Sequence, residues 1–84
     1  MEIIFHTNFR KRFKKLPSRI QKQFYNRLEM FSRDKFQKIL NNHPVEQVFP
    51  DCQSINITGD YRAIFKDHKH VIIFISIGTH SDLY

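Results

Sequence analysis

Ile55-Asn56-Ile57-Thr58-Gly59-Asp60-Tyr61-Arg62-Ala63-Ile64-Phe65 and, after a short polar interval, Val71-Ile72-Ile73-Phe74-Ile75-Ser76-Ile77 are dominated by β-branched and aromatic residues. Interrupted by Gly59-Asp60 and by His68-Lys69-His70, they read as three strands joined by two tight turns. Alternate residues of a strand face opposite ways, so parity assigns faces. Tyr61, Ala63 and Phe65 share a parity with Val71, Ile73, Ile75 and Ile77, the larger apolar set, which predicts the helix-covered face. Arg62, Ile64, Ser76 and His80 then fall on the other face. Opposed residues must share a face, which centres the second turn on His68 and pairs Arg62 roughly with Phe74. The same rule centres the first turn on Gly59, available for a positive φ, with Ile55 and Ile57 in the core and Asn56 outward. On this reading Asn56, Arg62 and His80 line an open side of the sheet, joined by Asp82 and Tyr84 if the tail stays extended.

Upstream, Glu2 to His6 has the composition of a first strand. From Thr7, Phe9, Phe13 and Leu16 recur at helical spacing, and Arg10, Lys11, Arg12, Lys14 and Lys15 fill the positions between them. Pro17 ends that helix. Ser18 and Gln21 have the form of a capping box opening a second one, whose buried stripe is Ile20, Phe24, Leu28 and Phe31 and which ends near Ser32 or Asp34. Asn41-Asn42-His43-Pro44 is turn chemistry inside an irregular connection from about Leu40 to Asp51. The predicted fold is α+β, ordered β-α-α-β-β-β, an antiparallel sheet packed on one face by two helices, with residues 1–84 as a single domain.

Eighty-four residues with 40% hydrophobic side chains, nine Phe and three Tyr allow one small core. A formal net charge of +6 favours an acidic partner, such as RNA, DNA, an anionic membrane surface or an acidic protein. One cysteine, Cys52, excludes an internal disulfide framework and fits a reducing compartment. The N-terminus has no signal-like pattern and no apolar run approaches a membrane span, so the expected location is cytoplasmic.

At Gly59-Asp60-Tyr61-Arg62-Ala63-Ile64-Phe65 and, beyond the Val/Ile-rich strand, at Gly78-Thr79-His80-Ser81-Asp82-Leu83-Tyr84, the chain resembles the RelE/ParE superfamily of bacterial toxins. The ending is most similar to the YafQ-like branch, and the element order agrees over the whole chain. The resemblance implies a ribosome-dependent mRNA endoribonuclease, encoded beside a cognate antitoxin that wraps and neutralises it, with the ribosomal A site and mRNA as its other partners. It also implies site residues. His80 matches the C-terminal catalytic histidine, Asp60 an acidic residue implicated in catalysis, Tyr84 a terminal aromatic, and His43 a histidine in the loop before the second strand. Arg62 matches a strand arginine that steadies the scissile phosphate, whereas Asn56 stands where histidine-rich relatives carry another catalytic histidine.

The chemistry is coherent without the family. Metal-free RNA cleavage needs a base for the 2′-hydroxyl proton, a cation for the phosphate and an acid for the leaving 5′-oxygen. Arginine's planar fork suits the phosphate, and histidine serves on either side of the proton balance. The assignment is His80 as acid, His43 or Asp60 as base, Arg62 on the phosphate and Tyr84 orienting or stacking on a base, with Asn56 and the Arg10, Lys11, Arg12, Lys14 and Lys15 cluster contacting RNA. No cofactor is called for, and His68 and His70 beside Lys69 lack a third metal ligand. Structural roles compete throughout: Asp60 beside Gly59 is a natural turn former, and a solvated helix face would equally account for the cationic cluster. Two other functions compete as well, a ParE-like inhibitor of DNA gyrase and a non-catalytic basic module that binds nucleic acid.

Overall fold

The computed structural model describes residues 1–84. Strand β1 (Glu2–Phe5) leads into helices α1 (Thr7–Lys14) and α2 (Ser18–Arg33), then a 3₁₀ turn (Lys38–Leu40). Strands β2 (His43–Pro44), β3 (Gln53–Asn56), β4 (Tyr61–His68) and β5 (Val71–Thr79) follow, and a one-turn helix α3 (His80–Leu83) ends the chain. The strands form one sheet in the order β1-β5-β4-β3-β2. The α+β class and the succession of a strand, two helices and then β3, β4 and β5 are as expected; the two-residue β2 and α3 are additions. The sheet is mixed, not antiparallel, because β1 pairs parallel to β5. The helical excursion separates those two strands, and three antiparallel strands return the chain beside β1 running the same way.

The core lies between the sheet and α1 and α2. Phe9, Ile20, Phe24 and Phe31 from the helices meet Ile55, Ala63, Phe65, Ile72, Phe74 and Ile77 from the sheet and Ile57 from the turn after β3. Phe74 is its hub, with ring centroids of Phe5, Phe9, Phe24, Phe31 and Phe65 all 5.5–5.9 Å away. Edge-to-face and tilted ring pairs of this kind add to the burial of area itself.

The face assignment of β5 is corrected by a bulge. His68 pairs with Val71, so the second turn has two residues, Lys69 and His70, with Lys69 at φ 55°. Ile64 pairs with Ser76 but Phe65 with Phe74, which leaves Ile75 as the extra residue. A bulge of one residue reverses parity beyond it. Ile72 and Phe74 therefore enter the core where Val71, Ile73 and Ile75 were expected, while Ile77, past the bulge, keeps its expected place. Arg62 consequently pairs with Gly78 and not Phe74. The first turn is centred on Gly59 as expected, Ile55 opposing Ala63 and Asn56 opposing Arg62, but Gly59 has no positive φ.

The opposite face of the sheet is not open along its length. Cys52, Ile64 and Leu83 form a second small cluster there, packed by Val45, Phe49 and Ile75. Burial raises the Cys52 thiol above its ordinary pKa, the main cause being desolvation. Helix α2 opens without the expected Ser18 capping box. Pro17 is the N-cap with no side-chain bond, and Gln21 Nε2 instead donates to the carbonyls of Phe13 (2.9 Å) and Leu16 (3.3 Å), satisfying the end of α1. No helix is long and apolar enough to cross a membrane.

Candidate active site

A cleft of about 600 Å³ opens beside the small second cluster. Arg62, His43, His80 and Tyr84 line it together with Asn41, Pro44 and the wall Val45-Glu46-Gln47-Val48. Four of the residues singled out in sequence thus converge from β2, β4 and the C-terminal segment. Asp60 and Asn56 do not line the cleft.

Each cleft residue has an identifiable anchor. His43 is held by its Nδ1, 2.7 Å from the Asn41 carbonyl. A carbonyl only accepts, so Nδ1 carries the proton and Nε2 of the neutral ring is left as an acceptor. Asn41 supplies that carbonyl from a left-handed conformation, φ 48°, which asparagine tolerates. Arg62 Nη1 donates to the carbonyls of Thr58 (3.0 Å), Gly59 (3.0 Å) and Tyr61 (3.2 Å).

His80 and Tyr84 owe their places to α3, which replaces the extended tail expected from the sequence. Thr79 caps the helix: its hydroxyl accepts from Asp82 N–H (3.1 Å), and the Asp82 carboxylate accepts from Thr79 N–H (3.2 Å). One turn of helix returns Tyr84 over His80, with ring centroids 4.6 Å apart. It also carries Asp82 away from the cleft, to the side where Arg12 and Lys15 lie. The Thr79 hydroxyl and N–H, and then nearby Arg12, lower the pKa of the Asp82 carboxyl. Asp60 contributes through its backbone, its carbonyl accepting His80 N–H at 3.0 Å. Thr79-His80-Ser81-Asp82 carried a usable signal, since a hydroxyl residue followed three positions later by an acid marks a helix start. Glu46, Gln47 and Val48 had none, for they reach the cleft only through the irregular connection.

The cationic helix is divided. Lys11, Lys14 and Lys15 are exposed, whereas Arg12 is partly buried, its Nε donating to the Ile77 carbonyl at 2.8 Å, and Arg10 Nε donates to the Phe5 carbonyl at 3.1 Å. Residues 7–28 carry eight of the fourteen Lys and Arg and no Asp or Glu, while the rest of the chain holds six cations against eight acids. The positive charge belongs to the α1–α2 hairpin.

These features define a small α+β protein with a cationic hairpin and a cleft bearing two histidines, an arginine and a tyrosine. In fold it resembles the toxins of the RelE/ParE superfamily. YafQ from E. coli strain BL21(DE3) matches with a TM-score of 0.83 over 99% of this chain and 97% of that chain, at 16% identity. A chain of the E. coli DinJ-YafQ toxin-antitoxin complex gives 0.81 over 99% and 96%, also at 16% identity. The RelB-RelE antitoxin-toxin complex from Methanococcus jannaschii gives 0.76 over 96% and 94%, at 20% identity. No protein-family model matches the sequence, and no curated protein matches it.

Proposed function

We propose that this protein is the toxin of a type II toxin-antitoxin pair and acts as a ribosome-dependent mRNA endoribonuclease. The observation that carries this reading is the convergence of His43, Arg62, His80 and Tyr84 on one cleft, in a fold shared with toxins. His43 Nε2 takes the proton from the 2′-hydroxyl, and the 2′-oxygen attacks phosphorus. Arg62 neutralises the charge gathering on the phosphate, where donors aimed at the transition state are most effective. The P–O5′ bond breaks, His80 gives the leaving oxygen its proton, and the products are a 2′,3′-cyclic phosphate and a 5′-hydroxyl. Two proton transfers by positioned groups contribute about 10² to 10⁴ each in rate. Tyr84, exposed beside His80, offers a face on which a base stacks. Asp60 is the weaker base candidate, because its carboxylate lies outside the cleft lining.

The partners follow from charge. Ribosomal RNA and message meet the cationic hairpin, and the antitoxin presents acidic or apolar segments across the same surface or the cleft. The cytoplasm is the compartment this function requires. The deciding experiment is primer extension on a reporter mRNA in a cell-free translation reaction, with a ribosome-free control and the His80→Ala variant. Cuts at defined codons, dependent on ribosomes and lost in the variant, are expected. Intact message with arrested DNA supercoiling would instead indicate a gyrase poison, and intact message with active gyrase a binding module.

A further inference from the structure

Four consecutive backbone carbonyls, those of residues 58–61, accept hydrogen bonds from cleft residues. Thr58, Gly59 and Tyr61 receive Arg62 Nη1, and Asp60 receives the N–H of His80. Two hydrogens on Nη1 are shared among three acceptors, so that nitrogen is saturated by the protein. Nε and Nη2 of Arg62 have no protein partner, which leaves one edge of the guanidinium for the two parallel bonds an oxyanion accepts. The His80 amide is one of the N–H groups that the start of α3 cannot satisfy internally, and the Asp60 carbonyl fixes where the helix begins.

Such convergence requires a loop of fixed shape. Its ends are joined by Ile57 N–H and Thr58 N–H donating to the Tyr61 carbonyl at 2.9 and 3.3 Å. Within it, Thr58 Oγ1 accepts the N–H of Asp60 (3.3 Å) and of Tyr61 (3.1 Å). Glycine does not impose the shape, since Gly59 has no positive φ and open space where a Cβ would stand.

We infer that Thr58 is a positioning residue for the reaction: its hydroxyl holds the loop whose carbonyls aim the free edge of Arg62 and seat His80. The inference rests on the nuclease reading for its kinetic consequence, but its structural half is independent of that reading.

The test uses Thr58→Val, which keeps the shape of the side chain and removes the acceptor, Thr58→Ser, which keeps the hydroxyl, and Thr58→Ala as a second deletion. Cleavage of ribosome-bound message is measured as kcat and KM, and exchange of the His80 amide proton is measured by NMR. Thr58→Val and Thr58→Ala are expected to lower kcat about 10- to 100-fold with little change in KM, the size of effect that misplacement by an ångström produces. Both are expected to speed His80 exchange while amides of β4 and β5 stay protected, and Thr58→Ser should restore rate and protection together. Wild-type kcat in both deletions, a serine variant as poor as valine, or unchanged His80 exchange would overturn the inference. Absence of any cleavage by the wild type would sink the nuclease reading alone, and the exchange comparison would still decide whether the hydroxyl holds the loop.

Discussion

Arg12 Nε donates a 2.8 Å hydrogen bond to the carbonyl of Ile77, across the edge of β5 that β1 leaves uncovered. Four residues earlier on the same helix face, Asn8 Nδ2 reaches the Ile75 carbonyl at 3.4 Å. Helix α1 thus replaces the missing strand with side chains, and it satisfies backbone groups that a bare edge would leave unpaired. A charged donor in a partly buried hydrogen bond is worth about 1.5–3 kcal/mol. Arg12→Ala should destabilise by about that amount in urea denaturation and lower cleavage by loosening the seat of α3. It should not behave like the removal of an RNA-binding cation. Lys11→Ala, Lys14→Ala and Lys15→Ala should leave stability nearly unchanged and reduce the salt dependence of ribosome binding by about 0.7 in log-log slope for each phosphate no longer neutralised. Equal effects of Arg12 and the lysines on that slope would return Arg12 to the RNA-binding set.

The carboxylate of Asp82 predicts an acid sensitivity that originates in the cap of α3. Its pKa is lowered chiefly by the Thr79 hydroxyl, then by Thr79 N–H, with Arg12 adding in the same direction. A depressed folded-state pKa stabilises above the unfolded value, near 3.8, and that contribution disappears as pH falls through the lower folded value. Stability measured by urea denaturation should therefore fall more steeply between about pH 5 and pH 2 in the wild type than in Asp82→Asn. Parallel curves would mean that the Thr79–Asp82 cap adds nothing that depends on charge.

Much of this architecture is legible in the sequence because its signals are local. The α1 stripe of Phe9 and Phe13 and the α2 stripe of Ile20, Phe24, Leu28 and Phe31 follow from helical spacing, and all six pack in or against the core. Ile55 and Ile57 follow from a turn centred on Gly59. The faces of β5 differ from expectation at Val71, Ile73 and Ile75 because all seven residues from Val71 to Ile77 except Ser76 are apolar, and such a run does not register a bulge. His43, Arg62, His80 and Tyr84 stand out by residue type and by family likeness, and the structure brings them together. Asp82 departs from its expected place for one reason: an extended tail would keep it on the cleft face, whereas the cap between Thr79 and Asp82 turns the chain into a helix.

The aromatic hub sets the largest single cost of substitution. Phe74 is fully buried against five other phenylalanine rings. Phe74→Ala should cost about 3–5 kcal/mol through lost burial and the cavity left behind. Set against a typical total of about 5–15 kcal/mol, that leaves a marginal protein, visible as a large fall in the urea midpoint. A loss below about 1 kcal/mol would mean that the neighbouring rings collapse into the space.

The two glycines should respond in opposite directions to the same substitution. At Gly59 no atom beyond its chain neighbours lies within 4 Å of where a Cβ would stand, and φ is not positive, so alanine only narrows the unfolded ensemble. Gly59→Ala should stabilise by about 0.4–1 kcal/mol. At Gly78 a Cβ would stand 2.9 Å from Arg12 Nη2 and 3.1 Å from Asp82 Cβ. The guanidinium cannot swing away freely, because its Nε is tied to the Ile77 carbonyl, and Asp82 is tied to Thr79. Gly78→Ala should therefore destabilise by about 1–3 kcal/mol, the cost of overpacking, and lower cleavage as α3 shifts with His80 and Tyr84. Thermal denaturation of the two variants beside the wild type checks the pair, and stabilisation by both would mean that Arg12 and α3 yield to the added methyl without resistance.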